Sequence, residues 1–248
     1  MPTETCNNIC TFFSRECDSL ELFEILNKRI LEECGEFSPV FPYQGRVEMK
    51  DNRLEQIIRF CELLDKEKFI QRRTYLSDGE RLENDAEHAW HMAVMALLLS
   101  GYSNEKVDVL KVVSILLVHD LVEIYAGDTF AYDEEGKKTQ RQRELAAADR
   151  LFSQLPDELE QRMRSLWDEF EEWATPEAKF AHSLDNFQPL LLQNASGCRA
   201  WKEGGRRLSE VLERNARSAE GSLALWEYAR ENFIQPAIDA GTLKDDTL

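Results

Sequence analysis

Ile115-Leu-Leu-Val-His119-Asp120-Leu-Val-Glu123-Ile-Tyr-Ala-Gly127-Asp128 runs an apolar helical stretch straight into two adjacent polar residues. Glu123 follows four residues after His119, and Asp128 stands directly after Gly127. Burying a histidine and an aspartate next to Leu, Ile and Val is costly unless something pairs with them. A divalent metal is the economical partner, because neutral imidazole nitrogen and carboxylate oxygen are common ligands. Neighbours on a helix diverge by about 100°, so His119 and Asp120 reach one point only if it lies close to the helix surface between them.

Two ligands do not hold a metal, and the flanking sequence offers more. Upstream, Asn84-Asp85-Ala-Glu87-His88-Ala-Trp90-His91 opens an apolar run through Leu99, with Asp85 as the expected N-cap and His88 in the first turn. Downstream, Asp185 sits mid-helix among Leu184, Phe187, Leu190 and Leu191. Three apolar helices thus contribute His88, His119, Asp120 and Asp185. His91 and His182 each lie three residues from a member of this set and read as packing residues or as partners that orient a ligand.

This ordered set resembles the HD-domain metal-dependent phosphohydrolases, whose pattern is H…HD…D. The resemblance is closest to the 5′-deoxynucleotidase-like branch and covers roughly residues 53 to 200, with Glu87-His88, His119-Asp120, Glu123, Gly127-Asp128 and Asp185 in order. It implies an all-α helical bundle holding one divalent metal ion (Mn, Co, Mg, Fe or Ni) on His88, His119, Asp120 and Asp185. It implies acid–base roles for Glu123 and Asp128. It also implies that Arg73 grips the substrate phosphate and that Glu83 and Asn84 contact substrate. The residue after that arginine is often tryptophan in the deoxynucleotidases; here it is Thr74, which points to a roomier sugar pocket. A homodimer is expected with the resemblance.

Composition bounds the rest. The chain has 248 residues, 43% of them hydrophobic, enough for a sizeable core. Acidic residues number 47 against 30 basic, a net charge of −17, which disfavours nonspecific binding to nucleic acid polymer or anionic membrane. A small phosphate ester stays admissible, since a metal and one or two arginines reverse the potential locally. No apolar run approaches the length of a membrane helix, and the start lacks the basic and apolar regions of a signal peptide. Six cysteines without a C-x-x-C pair suit reduced thiols in a cytoplasm.

Along the chain, residues 1–50 read as an amphipathic helix near 19–35 and an arm containing Pro39, Pro42 and Gly45. Residues 51–200 read as the HD domain and 201–248 as a helical extension packed on it. Expected helices span about 51–72, the His88 run, the run ending at His119, and about 139–154, 157–173, 176–194, 206–218 and 222–240. Loops are expected at 73–84, 129–138 and 196–205. Phe170 and Trp173 belong to an aromatic stripe expected to pack in a core or at a dimer contact, and Trp201 falls in an expected loop.

The leading function is hydrolysis of a phosphate ester of a nucleotide or similar small molecule. The alternatives are an HD hydrolase of another phosphoanhydride or nucleotide second messenger, and a non-catalytic metal- or nucleotide-binding regulator. A di-iron oxygenase is a third. Retention of both Glu123 and Asp128 argues against the regulator. A second messenger asks for several basic residues near the motifs, and an oxygenase asks for two extra histidines where only His182 occurs.

Overall fold

A computed structural model describes residues 52–247. The expected helix near 19–35 and arm at 35–50 lie outside the described residues. Eleven α-helices among the described residues are α1 (Asn52–Leu64), α2 (Asp85–Leu99), α3 (Val109–Val118), α4 (Glu123–Ala126), α5 (Glu134–Phe152), α6 (Asp157–Glu172), α7 (Pro176–Ala195), α8 (Arg199–Gly204), α9 (Leu208–Arg214), α10 (Leu223–Ala229) and α11 (Gln235–Asp239). A π-helical turn, Arg230–Ile234, joins the last two. Strands β1 (Gln71–Tyr75) and β2 (Leu82–Asn84) pair antiparallel, Gln71 opposite Asn84 and Tyr75 opposite Leu82. The fold is an all-α bundle carrying one small hairpin.

Several local expectations are corrected. The helix expected over 51–72 stops at Leu64, turns through a 3-10 segment at Asp65–Phe69, and becomes β1. Arg72 and Arg73 therefore stand on a strand, not at a helix end. The loop expected at 129–138 is shorter, since Asp133 caps α5 by accepting a hydrogen bond from the Gly136 amide at 3.0 Å. Residues 199–204 form α8 instead of a loop, and the two long C-terminal helices are broken into shorter ones.

Two cores meet at the end of α3. Its inward residues Val112, Ile115 and Leu116 are fully buried with Met92 and Met95 of α2, Phe180 and Leu184 of α7, and Val211, Leu225 and Phe233 from the C-terminal helices. Two residues further on, Val118 joins Leu121 and Val122 in a second cluster with Leu151 and Phe152 of α5 and Trp167 of α6. A large apolar side chain taken fully out of water contributes roughly 1.5–3 kcal/mol. His119 comes directly after this seam, so packing on both sides fixes the backbone that presents it.

The other presenting elements have equally local causes. Asn84, not Asp85, caps α2: its side chain accepts from the Glu87 amide at 2.9 Å while the Glu87 carboxylate accepts from the Asn84 amide at 3.1 Å. Asp85 is instead the first helical residue, with no exposed surface. On α7, Pro189 has no amide hydrogen to give the carbonyl of Asp185, four residues earlier, so the helix is loosened at that carboxylate. Gly221 lets the chain before α10 pass against α7, because a Cβ there would come 2.0 Å from the Lys179 carbonyl oxygen.

Candidate metal centre

His88 from α2, His119 at the end of α3 and Asp185 from α7 each offer one ligand atom, and the three atoms lie within 4.8 Å of one another. His88 Nε2 is 3.0 Å from Asp185 Oδ1, and His119 Nε2 is 3.9 Å from that oxygen. Asp120 adjoins the group, its Oδ2 3.0 Å from His119 Nε2. The same Oδ2 accepts a hydrogen bond from Arg72 Nη1 at 2.8 Å. All four expected ligands thus gather in one place, with Asp120 tied to a buried arginine.

The hydrogen bonds behind the histidines test whether a metal fits. His119 Nδ1 is 2.9 Å from the Leu116 carbonyl oxygen. A carbonyl only accepts, so Nδ1 carries a proton, and Nε2 presents a lone pair when the ring is neutral, as a metal ligand must be. That Nε2 is buried and makes no well-directed hydrogen bond, although Asp120 Oδ2 lies 3.0 Å away. His88 Nδ1 is 3.0 Å from Gln188 Oε1, while Gln188 Nε2 donates to Glu83 Oε2 at 2.8 Å and approaches His91 Nδ1 at 3.2 Å. Burial holds the His88 imidazole down to about 4, so it is neutral and owns one N–H between two acceptors, Gln188 Oε1 and Asp185 Oδ1. Either tautomer leaves a lone pair against an oxygen. A cation shared by His88 Nε2, His119 Nε2 and Asp185 removes the conflict at each, and the donor set fits a divalent metal.

Charge around the centre is strongly negative. Burial raises Glu67 and Glu83 to about 7 each, and raises Asp85 to about 7 with the Asp120 charge adding to it. Glu123, three residues after Asp120, is buried with Oε2 unpartnered, and burial followed by the Asp120 charge lifts it well above the carboxylate range. Burial opposes a charged His119, but the Asp120 and Asp185 carboxylates override it and lift it to about 9. Both shifts report the same excess of carboxylate. Arg72 is the cation inside it, 3.4 Å from Asp85 Oδ1 and 3.7 Å from Glu83 Oε1 besides its Asp120 contact. Arg214 of α9 approaches from the other side, 3.3 Å from Asp185 Oδ2.

A cavity of about 950 Å³ opens on the centre, lined among others by His119, Asp120, Glu123, Asp128 and Asp185. Gly127 ends α4 at φ 74°, ψ 148°, a conformation open almost only to glycine, and so turns Asp128 into the cavity wall. Burial raises the Asp128 carboxyl, with Arg72 and Arg73 pulling it back. Arg73 and Thr74 also line the cavity. Glu83 and Asn84 do not: Asn84 caps α2, and Glu83, 1% exposed, stands behind His88, bonded by Gln188. In this structure the two residues support α2 and His88.

His182 is a packing residue. Its ring stacks between Phe170 and Trp173 at 3.7 and 3.6 Å, and its Nε2 donates to the Phe170 carbonyl at 2.7 Å. Trp173 pays for this position with a left-handed backbone, φ 54°, where α6 ends. Sequence reading missed Arg72, Gln188 and Arg214 as members of the site. None of the three carried a signal, since the strand whose alternation turns Arg72 and Arg73 to different surroundings was itself not expected.

A family model described as HD domain matches residues 64–226, about two thirds of the chain. The chain is 31% identical over 138 residues to a protein named 5′-deoxynucleotidase HDDC2 from Xenopus laevis, covering 55% of this chain and 67% of that one. Its namesake from Bos taurus is 29% identical over 155 residues, covering 62% and 71%. A crystal structure described as a predicted metal-dependent phosphohydrolase from Magnetospirillum magnetotacticum MS-1 matches with a TM-score of 0.75 and 40% identity, over 80% of this chain and 99% of that one. The H…HD…D residues, their convergence and these matches have one reading: the chain belongs to the HD domain family.

Proposed function

We propose that this chain is a metal-dependent phosphomonoesterase acting on nucleoside 5′-monophosphates, with His88, His119, Asp120 and Asp185 holding one divalent ion. The observation that carries the reading is the pair of buried histidines set against carboxylate oxygens, His88 Nε2 by Asp185 and His119 Nε2 by Asp120, behind a cavity wide enough for a nucleotide that His119, Asp120 and Asp185 line. The relatives named 5′-deoxynucleotidase support the substrate class. When bound, a divalent ion supplies an activated water and polarises the phosphoryl group.

The chain's own residues do the rest. Arg73 takes the phosphate. Six basic side chains line the cavity. Among the described residues, Arg72, Lys137, Arg141, Arg206 and Arg214 are paired with Asp120, Glu134, Glu171, Glu210 and Asp185. Among the described residues the Arg73 side chain makes no hydrogen bond or ion pair, and it is exposed, so its donors are available. One available cation suits one phosphate group and disfavours the polyphosphate or second-messenger alternative. Glu123 and Asp128 supply the proton transfers, since both line the cavity beside the centre and burial raises both carboxyls above their ordinary range. Thr74 leaves the sugar edge roomier than a tryptophan would.

The test is a phosphate-release panel over nucleoside mono-, di- and triphosphates, in matched ribo and deoxyribo forms, with each of Mn, Co, Mg, Fe and Ni. Release from monophosphates with little ribo–deoxy separation is expected. Release from triphosphates alone contradicts the substrate class, and a large deoxy preference contradicts the Thr74 argument. No helix among the described residues is long and apolar enough to cross a membrane. A cytoplasmic homodimer completes the proposal. On α2, Trp90, Leu97 and Leu98 are 65%, 58% and 74% exposed at helical spacing, which leaves an apolar row for a second copy. Light scattering showing a monomer would remove the dimer.

A further inference from the structure

We infer that Phe130, Tyr132 and Arg206 form a subsite for the planar base of the substrate; this rests on the nucleotide reading above. Phe130 and Tyr132 stand two and four residues beyond Asp128 on the loop between Gly127 and α5. Their rings meet edge to face with centroids 5.3 Å apart. Arg206, from the segment between α8 and α9, lays its guanidinium 5.3 Å from the Phe130 centroid and 4.6 Å from that of Tyr132. All three line the same cavity as the metal centre and Arg73, and all three are half-buried.

The chemistry of this corner suits a base and not a second phosphate. Arg206 already lies 3.3 Å from Glu210 and rests on two π-faces. The ring faces carry partial negative charge and repel an anion, whereas a flat heterocycle stacks on them or on the guanidinium plane. Stacking tolerates any base, so the subsite selects for the presence of a base and not for its identity.

The rings are not needed to hold the loop. Arg143 already ties one end, donating to the Ala126 carbonyl and to Thr129 Oγ1, each at 2.6 Å. The cap of α5 by Asp133 fixes the other end. Two aromatic side chains are thereby free to serve the cavity. Because they follow Asp128 on one short loop, a base resting there anchors the sugar end of the ester beside that carboxyl.

The experiment compares deoxyadenosine 5′-monophosphate with base-free 2-deoxyribose 5-phosphate, using the metal-loaded full chain. In the Phe130→Leu/Tyr132→Leu double variant, which keeps apolar volume and removes the π-faces, the ratio of kcat/KM values should fall about 10- to 100-fold. Deoxyadenosine alone should inhibit hydrolysis of 2-deoxyribose 5-phosphate by the parent and lose that effect in the variant. Equal losses on both esters would mean the rings only shape the loop, and would overturn the subsite. An unchanged ratio overturns it as well. If the variant does not fold, the parent decides: absence of inhibition by deoxyadenosine overturns the subsite while phosphomonoesterase activity still stands. A parent that hydrolyses neither ester removes the nucleotide reading and the subsite with it.

Discussion

Gln188 Oε1 lies 3.0 Å from His88 Nδ1, and the Gln188 amide is oriented by the 2.8 Å bond its nitrogen gives Glu83. The glutamine is fully buried, three residues beyond Asp185 on α7. Its oxygen accepts from Nδ1–H in the tautomer that leaves Nε2 for the metal. Glu83 thus acts on His88 through Gln188. Replacing Gln188 by Leu should weaken divalent metal binding about 10- to 100-fold, the usual cost of losing a residue that orients a ligand. Gln188→Glu keeps an acceptor and should recover part of the loss. Calorimetric titration of the stripped protein with Mn²⁺ checks this. Equal affinities for parent and Gln188→Leu would remove Gln188 from the support of the site.

Arg73→Ala should raise KM for a nucleoside monophosphate and leave the melting temperature nearly unchanged. Arg73 is exposed on β1 and forms no ion pair among the described residues, so no core contact is lost. A charge-assisted hydrogen bond to phosphate contributes roughly 1.5–3 kcal/mol, or about 10- to 150-fold in affinity. Arg72→Ala should behave differently and destabilise the fold, because Asp120 and Asp85 lose their buried cation. Steady-state kinetics and thermal melts of the two variants check the contrast. An unchanged KM in Arg73→Ala would place the phosphate elsewhere.

Glu123→Gln and Asp128→Asn should each retain metal and lose turnover by about 10²–10⁴, the range for a lost acid–base group. Both substitutions keep shape and hydrogen-bonding capacity, so packing in the second core should survive. Metal content and kcat are read on the same samples. Near-native rates in both variants would take the proton transfers away from these carboxyls.

Glu67 makes metal-free stability depend on pH. It is 8% exposed, its Oε1 has no partner, and burial together with Asp120 and Asp85 raises it from 4.5 to about 7. A folded-state value above the unfolded one means the stability it lends is complete below about 4.5 and is lost as pH rises through about 7. Glu67→Gln should therefore stabilise the chelator-stripped protein above neutrality, by at most about 3 kcal/mol, and make no difference in acid. Denaturant melts across pH read this out. A variant less stable than the parent at alkaline pH would show Glu67 to be a needed anion.

The bundle was legible because its long helices bury continuous apolar faces, as Val109–Val118 and Pro176–Ala195 do. The four ligand candidates were legible because an ionisable residue among Leu, Ile and Phe has no cheaper explanation. The hairpin was not, because Gln-Arg-Arg-Thr-Tyr shows no apolar alternation, and its pairing depends on Leu82–Asn84, a partner too short to announce itself. Arg72 was hidden for the same reason: read as helix-terminal, it resembled a solvated charge, and only the strand turns it onto Asp120. Gln188 and Arg214 are ordinary helix residues in sequence. They acquire meaning only when α7 brings Gln188 to α2, and α9 brings Arg214 to Asp185.

Phosphate release from deoxyadenosine 5′-monophosphate by chelator-stripped full-length protein, before and after titration with a divalent metal, tests the central claim most directly. The stripped protein should be inactive, and activity should return in step with one ion bound per chain. His119→Ala, which removes the buried Nε2, should bind no metal and stay inactive. Turnover that persists at the parent rate after metal removal, or activation by metal in His119→Ala equal to the parent's, would contradict it.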